Sequence, residues 1–288
     1  MTEVLDFHKV EGLGNDFLLI DWRGQDGPLL ADELSRLQAF APQLCDRRRG
    51  IGADGLLVIT PARDPTCEVA MIVINHDGSR PEMCGNGLRC VSLFLDVVAG
   101  LGTEITIETG AGPLRCVCVD ESDTEGEVTI AMGPAIEYGP LQPQTAPGRV
   151  FQVFSTGNPH AITFVTSDED PEALARALGP AVELDPLFPD RTNVEFARIE
   201  EDGSITLWVW ERGCGITEAC GTGACATAAA AVRGGLAAAA TALRVRLPGG
   251  WLEIKVPSNA NESIIMTGPA RLVFCGQLTL PSPDAGPF

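Results

Sequence analysis

Two cysteine motifs in this chain have the residue types and spacing of paired acid/base groups. Cys84 precedes Gly-Asn-Gly and an apolar run at residues 88–99, and Cys220 precedes Gly-Thr-Gly and an apolar run at residues 226–232. Each pattern predicts a loop that turns into a helix, with the thiol at the helix start. Unpaired backbone N–H groups and the positive end of the helix dipole favour a thiolate there. The sequence therefore predicts two activated thiols, each on its own helix N-terminus.

Two such thiols could serve redox chemistry, or they could move a proton at carbon. Thiol oxidoreductases usually hold their cysteines close in sequence, whereas these two are far apart. In two-base transfer, one thiolate removes a proton and the opposite thiol returns one from the other face, which inverts a stereocentre without a cofactor. The structural alternative is two buried cysteines with glycines that serve only chain geometry. The matching contexts favour the two-base hypothesis, with the adjacent carboxylate held by backbone N–H groups of Gly85, Asn86, Gly221 and Thr222.

Composition narrows the class of protein. The chain has 288 residues, of which 45% are hydrophobic, and a formal net charge of −19. A substantial core is expected, and a nucleic-acid or anionic-membrane partner is not, because both require a basic surface. The N-terminal residues do not resemble a signal peptide and no apolar run is long enough to span a membrane, so we expect a cytoplasmic protein. Ten cysteines without a C-x-x-C pair or a Cys/His cluster predict neither a disulfide framework nor a metal site.

The two halves of the chain correspond. Gly-Asn occurs at residues 14–15 and again at 157–158, and Asn75 and Glu211 each end a predicted strand nine residues before a motif cysteine. We interpret this as an internal duplication of a β-rich unit with one central helix, which predicts an α+β fold with the two thiols meeting at a cleft between similar domains. The predicted domains are residues 1–132, carrying Cys84, and 133–275, carrying Cys220. The strand at about 276–288 could return to the first domain.

Local signals complete the predicted elements. Helical spacing covers residues 32–45, with Asp32 as a possible N-cap, and a second helix runs from Asp170 to Leu178. Residues 133–148 are rich in Pro, Gly and Gln, which predicts a linker or long loop between the domains. Separate strands are expected at 263–268 and 270–276.

Polar residues recur at the turns that would border the cleft. Turns alone can explain an asparagine, but recurrence at corresponding turns favours a ligand-binding role for four of them: Asn15, Asn75, Asn158 and Asn193. Arg212 could form a surface pair with Glu211, yet its place before the second motif suits a carboxylate clamp. Glu211 could influence the protonation of Cys220, and His160 that of Cys84.

These residues resemble the diaminopimelate epimerase family, in family order and over nearly the whole chain. The motifs are Gly12-Leu-Gly-Asn-Asp-Phe17, Gly50-Ile-Gly-Ala-Asp-Gly-Leu56, Met83-Cys-Gly-Asn-Gly87, Gly157-Asn-Pro-His160, Arg191-Thr-Asn-Val-Glu-Phe196, Glu211-Arg-Gly213 and Ala219-Cys-Gly-Thr-Gly-Ala224. Proline racemases share the two-thiol chemistry, but their first motif is closer to Cys-Gly-His.

The resemblance implies a pyridoxal-phosphate-independent enzyme that interconverts LL- and meso-diaminopimelate for lysine and peptidoglycan synthesis. It implies a homodimer of two-domain subunits, each domain a mostly antiparallel, barrel-like sheet around a central helix. By resemblance, Cys84 and Cys220 are the acid/base pair, assisted by His160 and Glu211. The reacting carboxylate would be held by Gly85, Asn86, Gly221 and Thr222, and the rest of the substrate by Asn15, Asn75, Asn158, Asn193, Glu211 and Arg212.

Four residues depart from the family pattern. Gly55 stands where some members have a substrate-contacting Gln, and the others are His76, Cys214 and Glu218. A racemase of another amino acid, such as histidine, is therefore an alternative, as is a non-catalytic thiol redox or ligand-binding relative. Arg212 together with the asparagines favours a substrate whose distal end carries both a carboxylate and an amine.

Overall fold

The structure, a computed structural model, describes residues 3–25, 27–119 and 122–280. Over these residues the chain forms an α+β fold, as predicted. The helices are α1 (Gly27–Leu44), α2 (Gly85–Val97), α3 (Pro171–Glu183) and α4 (Gly221–Arg233). The strands are β1 (Glu3–Gly12), β2 (Asn15–Asp21), β3 (Gly55–Thr60), β4 (Val69–Asn75), β5 (Glu104–Thr109), β6 (Gly112–Val119), β7 (Glu125–Ala131), β8 (Ile136–Leu141), β9 (Phe151–Ser155), β10 (Pro159–Phe164), β11 (Asn193–Ile199), β12 (Ile205–Glu211), β13 (Gly215–Ile216), β14 (Ala242–Leu247), β15 (Gly250–Lys255) and β16 (Ile265–Leu280).

The chain divides into two compact units, unit 1 (Met1–Val128 with Pro269–Phe288) and unit 2 (Thr129–Gly268). In unit 1 the strand order is β1-β2-β3-β4-β5-β6-β7-β16, and antiparallel pairing of β1 with β16 closes the sheet on itself. A final strand is predicted at about 276–288. Strand β16 includes residues 276–280 of it, and residues 281–288 lie outside the described residues. Helix α2 is almost wholly buried within this unit, from Gly85 to Leu95.

Unit 2 repeats the strand pairing of unit 1, which confirms the predicted duplication. In unit 1, β1–β2, β3–β4 and β5–β6 pair antiparallel, while β2–β3 and β4–β5 pair parallel across α1 and α2. In unit 2, β9–β10, β11–β12 and β14–β15 pair antiparallel, while β10–β11 and β12–β14 pair parallel across α3 and α4. Parallel neighbours need a crossover, so each helix occupies the place that the topology requires.

Two predicted helix boundaries were wrong. Helix α1 begins at Gly27, so Asp32 is not its N-cap. The reason is that Leu30 and Leu34 continue the apolar stripe of Leu37 and Ala41 into the core before and after Asp32. Helix α3 does begin after an Asp170 cap, but it continues beyond Leu178 to Glu183.

The predicted loop at residues 133–148 was also wrong, because it contains β8. This strand lies at the end of the unit 2 strand order and pairs antiparallel with β9. Its residues are mostly exposed, so no apolar alternation marks it in the sequence. An edge strand tolerates Pro140, and the register shifts between Glu137 and Gly139. The two strands predicted at 263–268 and 270–276 are one continuous strand, β16, which begins at Ile265.

None of the helices within the described ranges is both long and apolar enough to cross a membrane.

Candidate active site

Cys84 is the N-cap residue of α2 in unit 1, as the motif predicts. Its Sγ accepts a hydrogen bond from the backbone N–H of Gly87 at 3.4 Å. Gly85 and Asn86 open the helix and are buried with Gly87. The thiol therefore lies at the first helical turn, whose N–H groups have no partner within the helix and can stabilise an anion.

Asn15 and Asn86 form a connected pair in unit 1. Asn86 Nδ2 donates to Asn15 Oδ1 at 3.0 Å, and Asn15 Nδ2 donates to Asp54 Oδ2 at 2.7 Å. Asp54 is in turn bound by Arg47 Nη2 at 2.8 Å. The Asn15 amide, which is predicted to contact substrate, and the Asn86 side chain are thus oriented by a charged anchor. Asp54, which sequence reasoning did not single out, supplies the carboxylate of that anchor.

Arg89 is a second residue that sequence reasoning missed. Its side chain is completely buried in α2, where Nη2 donates to Asn86 Oδ1 at 3.0 Å and Nε donates to the Pro269 carbonyl at 2.9 Å. Loss of hydration lowers the pKa of Arg89, and the neighbouring Cys90 and Cys84 sulfurs act in the opposite direction. A charged residue inside an otherwise apolar helical run was the available signal.

Asn75 ends β4, and its side chain donates to Ser79 Oγ at 2.9 Å. Its register partner on β3 is Gly55. A Cβ added at Gly55 would lie 2.6 Å from the Ile74 carbonyl oxygen, closer than real Cβ atoms come. The backbone here therefore leaves no room for a side chain at residue 55.

Cys220 is the N-cap residue of α4 in unit 2, followed by Gly221 and Thr222 in the first helical turn. It is buried, and its Sγ lies 3.6 Å from Thr222 Oγ1. Burial raises the pKa of Cys220 well above its ordinary value, and the carboxyls of Glu211 and Glu195 raise it further. Desolvation and the neighbouring carboxyls thus oppose the thiolate that the helix N-terminus is predicted to favour at this cysteine.

Glu211 ends β12 and accepts a short hydrogen bond from the Thr217 hydroxyl. Loss of hydration raises the pKa of Glu211, while the Thr217 bond and the nearby Cys220 lower it. The next residue, Arg212, donates its backbone N–H to Asn193 Oδ1 at 2.9 Å, and its guanidinium donates to a backbone carbonyl at 3.3 Å. Asn193 therefore supports the backbone around Arg212, and Glu211 lies in the electrostatic environment of Cys220.

His160 and Asn158 lie beside α4 in unit 2. His160 is fully buried, with Nδ1 2.6 Å from Glu195 Oε1 and Nε2 2.9 Å from Asn158 Oδ1. Asn158 Nδ2 donates to Thr222 Oγ1 at 3.3 Å. Loss of hydration raises the pKa of the buried Glu195, and the His160 contact opposes that rise. Glu195 was missed as a site residue, although a carboxylate between Val194 and Phe196 in a strand was a visible signal.

The structure thus brings Asn15 and Asn86 together with Cys84 in unit 1. In unit 2 it brings Asn158, Thr222 and Glu211 together with Cys220. Buried titratable groups concentrated around one thiol are typical of acid/base sites.

The chain is similar to known proteins over most of its length. A family model described as diaminopimelate epimerase matches residues 7–137 and 152–273. The chain is 41% identical over 291 residues to diaminopimelate epimerase of Cyanothece sp. (strain PCC 7425 / ATCC 29141), covering 95% of this chain and 99% of that enzyme. It is 42% identical over 290 residues to diaminopimelate epimerase of Desulforudis audaxviator (strain MP104C), covering 95% of this chain and 99% of that enzyme.

Among solved structures, a probable proline racemase from Agrobacterium radiobacter K84 is similar in fold. It superposes with a TM-score of 0.73 at 20% identity, covering 97% of this chain and 94% of that protein. At this identity the likeness concerns the fold alone.

Proposed function

This chain belongs to the diaminopimelate epimerase family, and from that premise we propose how it interconverts LL- and meso-diaminopimelate. Cys84 and Cys220 are the two acid/base groups, one removing the α-proton and the other returning a proton to the opposite face of the carbon. Neither step changes an oxidation state, so the reaction needs no redox partner. His160 and Glu211 assist the two thiols.

The observation that carries the proposal is the equivalent placement of the two cysteines. Each is the N-cap of a buried helix that joins parallel strands, β4 to β5 for Cys84 and β12 to β14 for Cys220. A duplicated site of this kind suits a reaction whose substrate and product are near mirror images at the reacting carbon. The N–H groups of each first helical turn supply donors for the reacting carboxylate and for the charge that develops next to the carbanion.

The electrostatics of unit 2 support an acid role for Cys220 before substrate binds. Burial and the neighbouring carboxyls raise the pKa of Cys220, so it carries its proton at neutral pH. Two-base catalysis requires one protonated thiol at the start of each turnover, and a raised pKa provides it. Asn15, Asn75, Asn158, Asn193, Glu211 and Arg212 bind the remainder of the substrate in this proposal.

Solvent deuterium exchange tests the assignment. In D₂O, LL-diaminopimelate is expected to incorporate deuterium at one α-carbon as it becomes the meso isomer, because the returning proton comes from a thiol that equilibrates with solvent. NMR and chiral chromatography follow exchange and inversion in parallel. Histidine and proline serve as matched substrates without the distal amino-acid end and should show little exchange. Faster turnover of either one would overturn the substrate, and inversion without deuterium uptake would overturn proton transfer.

We further propose that the enzyme acts in the cytoplasm, on the route to lysine and peptidoglycan precursors. A reducing compartment keeps catalytic cysteines as thiols.

We also propose a homodimer in which β16 contributes to the interface. Val273 and Phe274 are each 50% exposed on this strand, although large apolar side chains are usually covered. Sedimentation velocity should give twice the subunit mass for the wild type and a shift towards monomer for Phe274→Asp. Val150→Asp, at an exposed apolar side chain just before β9, is the control and should leave the mass unchanged. A wild-type monomer at micromolar concentration would overturn the dimer.

A further inference from the structure

The duplication provides an internal comparison for Glu195. Gly87 and Gly223 are each the third residue of their helices, α2 and α4. A Cβ added at Gly87 would meet Leu57 Cδ2 at 2.7 Å, and one added at Gly223 would meet Glu195 Oε1 at 3.0 Å. Leu57 and Glu195 are the third residues of β3 and β11. They therefore occupy equivalent places, and unit 1 has an apolar side chain where unit 2 has a carboxyl.

His160, the hydrogen-bond partner of Glu195, also has an apolar counterpart in unit 1. Phe17 pairs with the first residue of β3, and His160 pairs with the first residue of β11. Phe17 and Leu57 are buried in unit 1, and His160 and Glu195 are buried in unit 2. The same topology thus accepts an apolar pair at this place, whereas burying a carboxyl and an imidazole has a desolvation cost. The fold does not require the ionisable pair, so its role must be sought in the site.

Hydrogen bonding fixes the proton on one side of the imidazole. Nδ1 faces the Glu195 carboxyl at 2.6 Å and Nε2 faces Asn158 Oδ1 at 2.9 Å. Because Asn158 Oδ1 faces Nε2, Nε2 carries a hydrogen, and a second proton is shared between Nδ1 and the Glu195 carboxyl. The pair is then either an imidazolium beside a carboxylate or a neutral imidazole beside a carboxylic acid. An isolated neutral imidazole could instead carry its only proton on Nδ1 and accept at Nε2. Burial raises the pKa of Glu195, which favours retention of the shared proton by the Glu195–His160 pair and so keeps the hydrogen on Nε2.

The fixed Nε2–H in turn orients the next two groups. Asn158 Oδ1 accepts from His160, so its Nδ2 points to Thr222 Oγ1 at 3.3 Å. The Thr222 hydroxyl then accepts from Asn158 and retains its own hydrogen, and Cys220 Sγ lies 3.6 Å away. With the Asn158 amide reversed, the Thr222 hydroxyl would donate to Asn158 and would present only lone pairs to the sulfur.

We propose that Glu195 is a positioning residue that acts through His160 and Asn158 to keep the Thr222 hydroxyl available as a donor to the Cys220 sulfur. The donor stabilises the thiolate that Cys220 becomes after it has given its proton to the substrate carbon, when the other charges in its surroundings oppose ionisation. This inference rests on the proposed acid/base role of Cys220.

A double-mutant cycle in kcat tests the connection. Glu195→Leu, which copies the residue at the equivalent place in unit 1, should lower kcat by about tenfold to a hundredfold. Thr222→Val removes the hydroxyl while keeping the side-chain shape. If Glu195 acts through that hydroxyl, the combined variant should lose no more than Thr222→Val alone. The proposal would be overturned if the combined variant lost the product of the two single losses in kcat. An unchanged kcat in Glu195→Leu would overturn it as well.

A spectroscopic measurement gives a readout that does not depend on catalysis. The chain has three histidines, so ¹⁵N-histidine labelling allows His160 to be assigned by its loss in His160→Phe. The wild type should show a protonated Nε2 that exchanges slowly with water, and Glu195→Leu should show a mixture of tautomers. An unprotonated Nε2 in the wild type would refute the positioning role, whereas the outcome of the deuterium assay would decide the proposed function separately.

Two further variants separate positioning from folding. Glu183→Gln changes another buried carboxyl of unit 2, which accepts from Trp210 Nε1 at 2.8 Å and from the Gly213 N–H at 2.9 Å. It should lower stability without altering the His160 spectrum. The double variant His160→Phe/Glu195→Leu rebuilds the unit 1 pair and should fold even if Glu195→Leu does not. It should show the same low kcat, and wild-type kcat in this folded variant would overturn the proposal.

Discussion

Replacing Cys220 with alanine is expected to reduce the inversion of LL-diaminopimelate by at least about a thousandfold, and replacing Cys84 should do the same. General acid/base groups typically contribute about 10²- to 10⁴-fold, and a two-base reaction fails when either group is absent. Inversion is followed by chiral chromatography of the two isomers. Circular dichroism of each variant establishes that the fold is retained.

Each helix supplies its own control for this experiment. Cys90 in α2 and Cys225 in α4 are as fully buried as neighbouring core residues and lie outside the first helical turn. Cys90→Ala and Cys225→Ala should therefore retain activity within a few-fold and change mainly stability. Substantial inversion by Cys84→Ala or Cys220→Ala, or equal loss in the two controls, would contradict the two-base assignment.

Arg89→Ala is expected to lower the free energy of unfolding by about 3–5 kcal/mol. The substitution leaves a cavity in the core of unit 1 and removes donors from the Pro269 carbonyl and from Asn86 Oδ1, both of which are bound in the wild type. Urea denaturation followed by circular dichroism measures the change. Activity should fall as well, because Asn86 loses the group that orients its amide.

Arg115→Ala is the matched control for Arg89. Its side chain is 58% exposed and pairs with Glu104 at 2.7 Å. An exposed ion pair contributes at most about 1 kcal/mol, so this variant should unfold close to the wild-type midpoint. If both arginine variants lost the same stability, burial of the Arg89 guanidinium would not be the cause.

The features that could be predicted from the sequence are those set by a short stretch of neighbouring residues. Cys84 and Cys220 could be placed on helix N-termini because glycine-rich turns before apolar runs start helices. The duplication could be recognised because Asn75 and Glu211 end equivalent strands at the same distance from these cysteines.

What the sequence did not predict depends on tertiary packing. Strand β8 is mostly exposed, so it lacks the alternation by which a half-buried strand is recognised. The start of α1 was missed because a capping signal at Asp32 competed with the apolar stripe that Leu30 already begins. The raised pKa of Cys220 depends on its burial and on carboxyls from β11 and β12, and no local pattern reveals it.

The contact between a helix glycine and the strand below it also bears on how the two halves diverged. Gly87 and Gly223 both bring the first helical turn against the third residue of a strand, and only the identity of that residue differs between Leu57 and Glu195. Because the glycine contributes no side chain, the residue beneath could change from apolar to ionisable without moving the backbone. A gene duplication would in this way have given each half an independent place at which to adjust the acidity of its own thiol, so that a symmetric ancestor could become an asymmetric enzyme by single substitutions.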